Sequence, residues 1–582
     1  MTASTARTDA RRRGRHGIAL VSVLLVMVSI VLLGVGSLVL TRMNLLIAEN
    51  LVGATIARSH ADAGIDATVA ALYDRLRAGE PLPSSLESAT ATLVPEGALA
   101  YALALEDGYV LHGDSSVTLR VVGTGPRNAE YVAEAFVVFE RDGTASSGTS
   151  PFDGVVVGCE GVDLRGSGRI DSYHSGVGPY LAADARSNAV IKTTELGANV
   201  VLNGNAPIHG NVVSTGGFEA TGSSEVRGSI TANGTVAFRA NAIYGGDVRT
   251  TGDVTFTNTA RVEGSVAANG NVTFGNGARV SSDTFAGGTI AFNNSGARVL
   301  GDARAGGTIT RGHGNASVVH VTGSAAEHAG PVANPSVPSE ACDPLGIADV
   351  MASYANIPSS GPLQTGFPRN RWELSPTGVR AFDETWNVRA WVEQTSRPAH
   401  TVEVFGQPRT LIKTGSLNLG NGELRISGGD VVLFVDGDLA LGTGGGPGLV
   451  VDDDSSLTVF VTGRTRIASA VQMPSTQVVR PSGAPAFALF SSYRDTGAYT
   501  PWGSKGVSIE GNARLAATVY APEAFVSVNA GGGMYGAARG RRVDVTGGGG
   551  LHFDEALLDL DLGGSSPSGG TGEPTVTIRS RR

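Results

Sequence analysis

Ten histidines, two cysteines and one triple aspartate are the side chains of this 582-residue sequence that could ligate a metal or act as thiols. Cys159 and Cys342 are too few for a disulfide scaffold. They bracket one compositional block. They read either as a bridge in an oxidising compartment or as two buried thiols. No Cys/His spacing fits zinc, so no metal centre is expected. His209, His313 and His328 fall near turns and read as solvated or turn-stabilising. Asp452, Asp453 and Asp454 make an acidic loop of the kind that can take Ca²⁺. A solvated corner is the plainer reading, since the chain lacks the G-G-x-G-x-D calcium repeat. GTGGGPG (442–448) has neither the Lys nor the following helix of a phosphate loop. There is no G-x-S-x-G elbow and no H-E-x-x-H pair. The chain is therefore expected not to be an enzyme and to carry no cofactor.

The elements that hold these residues are announced by glycine. The chain has 82 Gly, about twice ordinary usage, without the every-third-residue period of collagen. Net charge is −9 and the basic residues are scattered, so no nucleic-acid partner is expected. Gly210, Gly228, Gly246 and Gly264 recur every 18 residues, Ser282 continues the series, and Gly301 follows one inserted residue later. A second column runs Gly216, Gly234, Gly252, Gly270, Gly288 and Gly307. A third is Phe218, Val236, Val254, Val272, Ile290 and Ile309. A fourth is Phe238, Phe256, Phe274 and Phe292. Within each unit, alternating strand, Gly/Asn corner and alternating strand follow one another. That pattern predicts a β-helix (β-solenoid) with about one 18-residue coil per repeat, coils about 4.8 Å apart, and Gly or Asn at corners that need φ > 0.

The expected order of parts is as follows. Residues 1–17 are a basic leader, 18–40 a transmembrane helix and 41–79 an amphipathic stem helix with Ile65, Val69, Leu72 and Leu76 on one stripe. Residues 80–141 are a small β-rich head, with a hairpin from the runs around 116–121 and 131–140. Residues 142–151 are a linker and 152–324 the β-solenoid. Residues 325–414 are an irregular Pro/Trp excursion containing Trp372, Trp386 and Trp391, which is also a candidate contact surface. Residues 415–562 continue the solenoid, and 563–582 are a flexible tail. The fold class is thus mainly β behind a long N-terminal transmembrane and stem helix. The uncharged run Ile18–Leu40 is long enough to cross a bilayer. The arginines before it place the rest of the chain outside the cytoplasm. The expected location is the inner (cytoplasmic) membrane, single-pass, with a periplasmic or extracellular body.

RRRGRHG followed by IALVSVLLVM resembles the N-terminus of PilX-type minor pilins and their GspK-type secretion relatives. ARSHADAGIDATVAAL (57–72) is similar to the A-x-x-A-E-A-G-L stretch behind that anchor. The resemblance implies cleavage by prepilin peptidase between Gly17 and Ile18. It also implies assembly with other pilin or pseudopilin subunits through the stem, in a pilus or a secretion system. Ser22 stands at the fifth mature position, where major pilins carry Glu. That departure fits the minor class. The 18-residue repeat resembles bactofilin-type domains in architecture. IDSYHSG (170–176), CDPLG (342–346), ATVYAPEAFVSV (517–528) and GGGGLHFDEAL (547–557) look like phrases of an uncharacterised C-terminal domain found on PilX-type anchors. The expected function is a PilX-like minor pilin or pilus-assembly subunit. The alternative is a membrane-anchored adhesive β-helical protein with no pilus role.

Overall fold

The computed structural model describes residues 7–77, 82–83, 101–141 except 104–107 and 113–115, 150–562 except 313–318, 364–369, 384–388, 396, 405–406, 469–470, 472, 474, 481, 502, 530 and 561, and 574–581. Many side chains between residues 7 and 51 lie outside that description, as do His313 and Trp386. The chain divides into two units. One is Met1–Ser147 with Pro567–Arg582, and the other is Gly148–Ser566.

The first unit is helix α1 (Arg7–Arg77) against an antiparallel sheet. The sheet holds β1 (Tyr101–Leu103), β2 (Tyr109–His112), β3 (Ser116–Gly125) and β4 (Ala129–Arg141). The strand Pro574–Arg581 completes it by pairing with β4. The second unit is therefore an insertion between two neighbouring strands of one sheet.

In the second unit, parallel strands stack coil upon coil. In the 18-residue block each coil has three short strands, such as Ile230–Ala232, Val236–Phe238 and Ile243–Tyr244. Phe218, Val236, Val254, Val272, Ile290 and Ile309 pair in register, one per coil. Phe256 and Phe274 stack at 5.0 Å and 3°, and Phe274 and Phe292 at 4.9 Å and 7°. His320 ends the aromatic ladder, 4.8 Å from Phe292.

Five expectations need correction. First, the fold class and location assumed a transmembrane helix. Among the described residues no helix is long and apolar enough to cross a membrane. A single-pass inner-membrane anchor is thus not supported. Second, the 18-residue coil is not general. Residues 407–545 use longer strands such as Asp430–Leu441, Leu515–Val528 and Met534–Val545, joined by loops of unequal length.

Third, this C-terminal block does not extend the far end of the stack. Its last long strand, Met534–Val545, pairs with β5 (Val156–Leu164). Leu551–Asp554 likewise pairs with β6 (Ile170–Tyr173). The C-terminal block is the base, and the block that precedes it in sequence sits on top. One buried column, Leu433, Val459, Leu489, Val519, Ala538, Val156, Ile191 and Val212, runs through the join in register.

Fourth, the excursion 325–414 is largely ordered. Arg371–Ser375, Gly378–Asp383 and Ala390–Glu393 form strands of a second sheet, with Trp372 buried and Trp391 against Phe382. α2 (Ile347–Ala355) packs beside Phe434 and Phe460 through Tyr354. The chain before α2 is a strap that runs back down the stack. Asn334 N–H donates to Asn269 (2.7 Å), Val337 N–H to Asn233 (2.7 Å), and Glu340 N–H to the Thr194 carbonyl (3.0 Å). Three extended residues span about 10 Å, the height of two coils, and Asn269 to Asn233 is two coils. The fifth correction is the tail, whose alternating residues from Pro574 onward are a sheet strand.

The periodic glycines are corner residues for a different reason than φ. None of those columns has positive φ. A Cβ on Gly264 would lie 2.6 Å from the Gly246 carbonyl carbon and oxygen, and one on Gly246 2.5 Å from those of Gly228. They allow backbone to stack on backbone. Beside them, Asn211, Asp247 and Asp283 each accept the N–H of the next coil's residue, Ser229, Ser265 and Asp302, at 2.8–2.9 Å. Gly264→Ala is therefore expected to destabilise the body by about 1–3 kcal/mol. Gly415→Ala, with nothing within 4 Å of the new methyl, is the control. Chemical denaturation compares the two, and equal effects would contradict the reading.

Candidate functional sites

The helix face of the first unit is built from small residues. Gly53, Ala57, Ala61, Ile65, Thr68 and Leu72 are buried at spacings of three or four, the repeat of one helix stripe. Val69 is only half-buried, and Leu76 has no described side chain. Val117, Leu119, Val121, Ala133, Ala135 and Val137 cover the stripe from the sheet. The approach is close. A Cβ on Gly123 would sit 2.0 Å from the Ala57 carbonyl oxygen, and one on Gly125 2.3 Å from that of Gly53. The G-T-G of β3 thus lets strand backbone lie on helix backbone. His60 Nδ1 meets the Thr124 carbonyl at 2.6 Å. Further toward the N-terminus, Leu24, Leu25, Met27, Ile30 and Val31 are each more than 60% exposed. Gly17, Ile18 and Ser22 lie in the backbone of α1, and their side chains are outside the described residues.

The second site is the seam where base and upper block meet. The phrases IDSYHSG and GLHFDEAL, nearly four hundred residues apart, are its two lips: His552 pairs with Asp171 and Asp554 with Tyr173 in the strand register. Inside the upper block, the buried rung residues are mostly apolar. Across the seam they also carry charge. Asp171 is fully buried, 2.6 Å from His552 Nδ1 and 2.6 Å from Arg169, and it accepts the Tyr180 hydroxyl at 2.9 Å. The His552 ring packs on both Tyr180 (4.0 Å) and Tyr535 (4.9 Å), which also touch each other at 5.4 Å. Ser172 donates to Glu555 (2.8 Å), and Asp554 accepts the Ser175 N–H (2.9 Å).

On another face Asp163 and Asp544 are register neighbours, both buried. Arg542 reaches Asp163 at 2.9 Å and Arg165 reaches Asp544 at 3.6 Å. The 492–506 loop closes over them. Its Tyr499 takes a hydrogen bond from Arg165 (3.0 Å), and Arg542 and Lys505 each lie 4.2 Å from the Tyr499 ring centre. Burial holds the Asp544 and Asp554 carboxyls above their ordinary value and the Lys505 amine below its own. Burial, then the neighbouring Arg169, lowers His209.

Cys159 and Cys342 are joined, with Cα atoms 5.4 Å apart. The bridge ties the strap to β5, the first coil above the seam. Arg539 holds the same point by donating to the carbonyls of Cys342 (3.0 Å), Ala341 (2.7 Å) and Pro151 (3.1 Å). A loop of 183 residues gives such a bridge a contribution on the order of 3–5 kcal/mol.

The acidic loop turns to arginine. Asp452 pairs with Arg425 at 2.9 Å, Asp453 lies 3.7 Å from Arg480, and Asp454 accepts from Ser455. Among the described residues no three His, Cys, Asp or Glu side chains gather as metal ligands would. The Asp171–His552 pair has acid–base chemistry available. Among the described residues His552 makes no hydrogen bond to a hydroxyl or thiol, so the pair reads as a structural clasp. Sequence reasoning found the two phrases and missed that they meet. The signal was there in the charged residues they place among apolar rungs.

A helix-on-sheet unit with a coil stack inserted between two of its strands is the class of protein these sites define. Residues 410–560 match a family described as Domain of unknown function (DUF7305), and no family match supports the PilX-type or bactofilin-type resemblance. No curated protein matches the chain in sequence. Among solved structures, the competence-associated pilin ComZ from Thermus thermophilus aligns over 91% of this chain and 97% of its own, at 10% identity and a TM-score of 0.24. An overlap that low carries no argument.

The seam predicts a pH dependence. The raised Asp544 carboxyl keeps its proton in the folded state to higher pH than in the unfolded chain. Its contribution is therefore most favourable below the unfolded pKa, and it declines as pH rises from there to the folded value. Asp544→Asn removes that decline. The variant's stability relative to the parent should rise with pH through the acid range in urea titrations. A relative stability that falls instead would contradict it.

Proposed function

We propose that this chain is a pilin-like subunit of a type IV pilus or a related secretion system, of the minor, PilX-type class, presenting an inserted coil-stacked body. The supporting observation is α1 against an antiparallel sheet, with the strand glycines Gly123 and Gly125 at van der Waals limits from its backbone. The exposed apolar residues between Leu24 and Val31 are the surface through which such a helix would pack on the helices of other subunits. The residues before and after Gly17 support removal of a basic leader by prepilin peptidase. Ser22 leaves no carboxylate at the fifth position to be matched on assembly, which suits a rare subunit. The body is read as a display element and not as an enzyme.

Gly17→Val is the direct variant. The expected outcome is retention of the leader, seen by mass spectrometry as the mass of residues 1–17, together with fewer or no filaments by electron microscopy. Unchanged processing would overturn the pilin reading. Normal filaments from a strain lacking the protein, together with lost surface attachment, would favour the adhesive alternative.

A further inference from the structure

A groove of about 630 Å³ opens on the base block. Coil stacks have flat or convex faces. This one is hollow because several separate segments wall it: the Pro376 turn, the Gln407–Thr410 strand, Asp430, the Ser482–Gly483 turn and the end, Asp559 with Leu560, of the short helical turn Glu555–Asp559. We propose that the groove binds a neutral carbohydrate. The inference does not depend on the pilin reading.

The lining sets the chemistry. Arg409 pairs with Asp430, and Asp559, the other charged residue of the lining, is itself engaged, so neither end of the groove offers a ligand an unmatched charge. Asp430 also accepts from Ser456 at 2.5 Å and from Ser482 at 3.4 Å, which fixes its carboxylate. Gln407 and Ser482 are exposed; the Gln407 amide both donates and accepts, and the Ser482 hydroxyl, whose proton goes to Asp430, still accepts. A ligand that suits such a mixture must itself donate and accept at closely spaced points without carrying charge. Hydroxyl groups on a sugar ring do so. The exposed pyrrolidine rings of Pro376 and Pro408 supply apolar patches for the C–H face of the same ring. The volume is within the range of small-ligand sites. A polyanion meets no unpaired cation among the groove's named residues, and an apolar ligand would strand the paired charges without water.

The test uses the full chain, titrated by calorimetry and saturation-transfer NMR with cellohexaose, mannohexaose and chitohexaose, and with oligogalacturonate as the anionic comparison. At least one neutral hexasaccharide should bind in the millimolar range or tighter. Arg409→Ala should weaken it by about tenfold or more, and Ser482→Trp, which fills the groove from an exposed turn, should do the same. Gln407→Ala, on an exposed residue, reads the same loss should either of the others fail to fold. Arg279→Ala, exposed in the upper block, should leave binding unchanged. The proposal is overturned if no neutral saccharide binds at millimolar concentration. It is also overturned if only oligogalacturonate binds, or if binding survives Ser482→Trp in a folded protein.

Discussion

The whole inserted body depends on backbone stacked directly over backbone. Parallel strands of successive coils share hydrogen bonds at about 4.8 Å. At the corners that distance leaves no room for a side chain pointing along the axis. The glycine columns and the Asn/Asp side chains that accept the next coil's N–H are two answers to that single constraint. The interior follows from it. Once coils are in register, like residues face like residues, so valines and phenylalanines fill continuous columns that exclude water. The first unit uses the same device once, where Gly123 and Gly125 bring a strand onto a helix.

A stack with this geometry has no intrinsic beginning, and this chain exploits that freedom. The strap returns the polypeptide to the foot of the rod, and the C-terminal block is then laid beneath the coil that was made first. The seam so created joins residues nearly four hundred apart. Apolar rungs alone would pair with any other apolar rung. Asp171 with His552, Asp163 with Arg542 and Ser172 with Glu555 pair with few alternatives. Buried ion pairs are a poor source of net stability but can impose register. We read the charged rungs as what selects this join. The Cys159–Cys342 bridge and Arg539 fasten the strap at the same level.

Much of the upper block was legible because a period fixes register residue by residue: the Phe218–Ile309 and Phe238–Phe292 columns stack as their spacing implies. The base was less legible. Its coils vary in length, with loops such as 492–506 between rungs, so no fixed spacing exists to read. Order along the axis was illegible for a physical reason, since chain order does not dictate stacking order. In the 18-residue block glycine misled in a smaller way: its periodic positions suggested positive φ, and the cause there was crowding. At the C-terminus the Gly/Ser run hid a strand whose Val576 and Ile578 alternation was visible. At the N-terminus, hydropathy alone suggested a membrane span that the described residues do not support. Of the candidate sites, the cysteine pair was visible as a pair of flanking positions. The seam's dyads and the groove were not, because each draws on segments far apart in sequence.

The account rests most on the base block lying beneath β5. Ser167 and Gly548 are exposed neighbours across that seam, a Cβ on Gly548 falling 3.6 Å from the Ser167 hydroxyl. Spin labels at Ser167→Cys and Gly548→Cys, read by double electron–electron resonance, measure the arrangement directly. A single short distance, below about 20 Å, is predicted from adjacent coils. A distance of about 60 Å, as a base block stacked beyond the last upper coil would give, would contradict it.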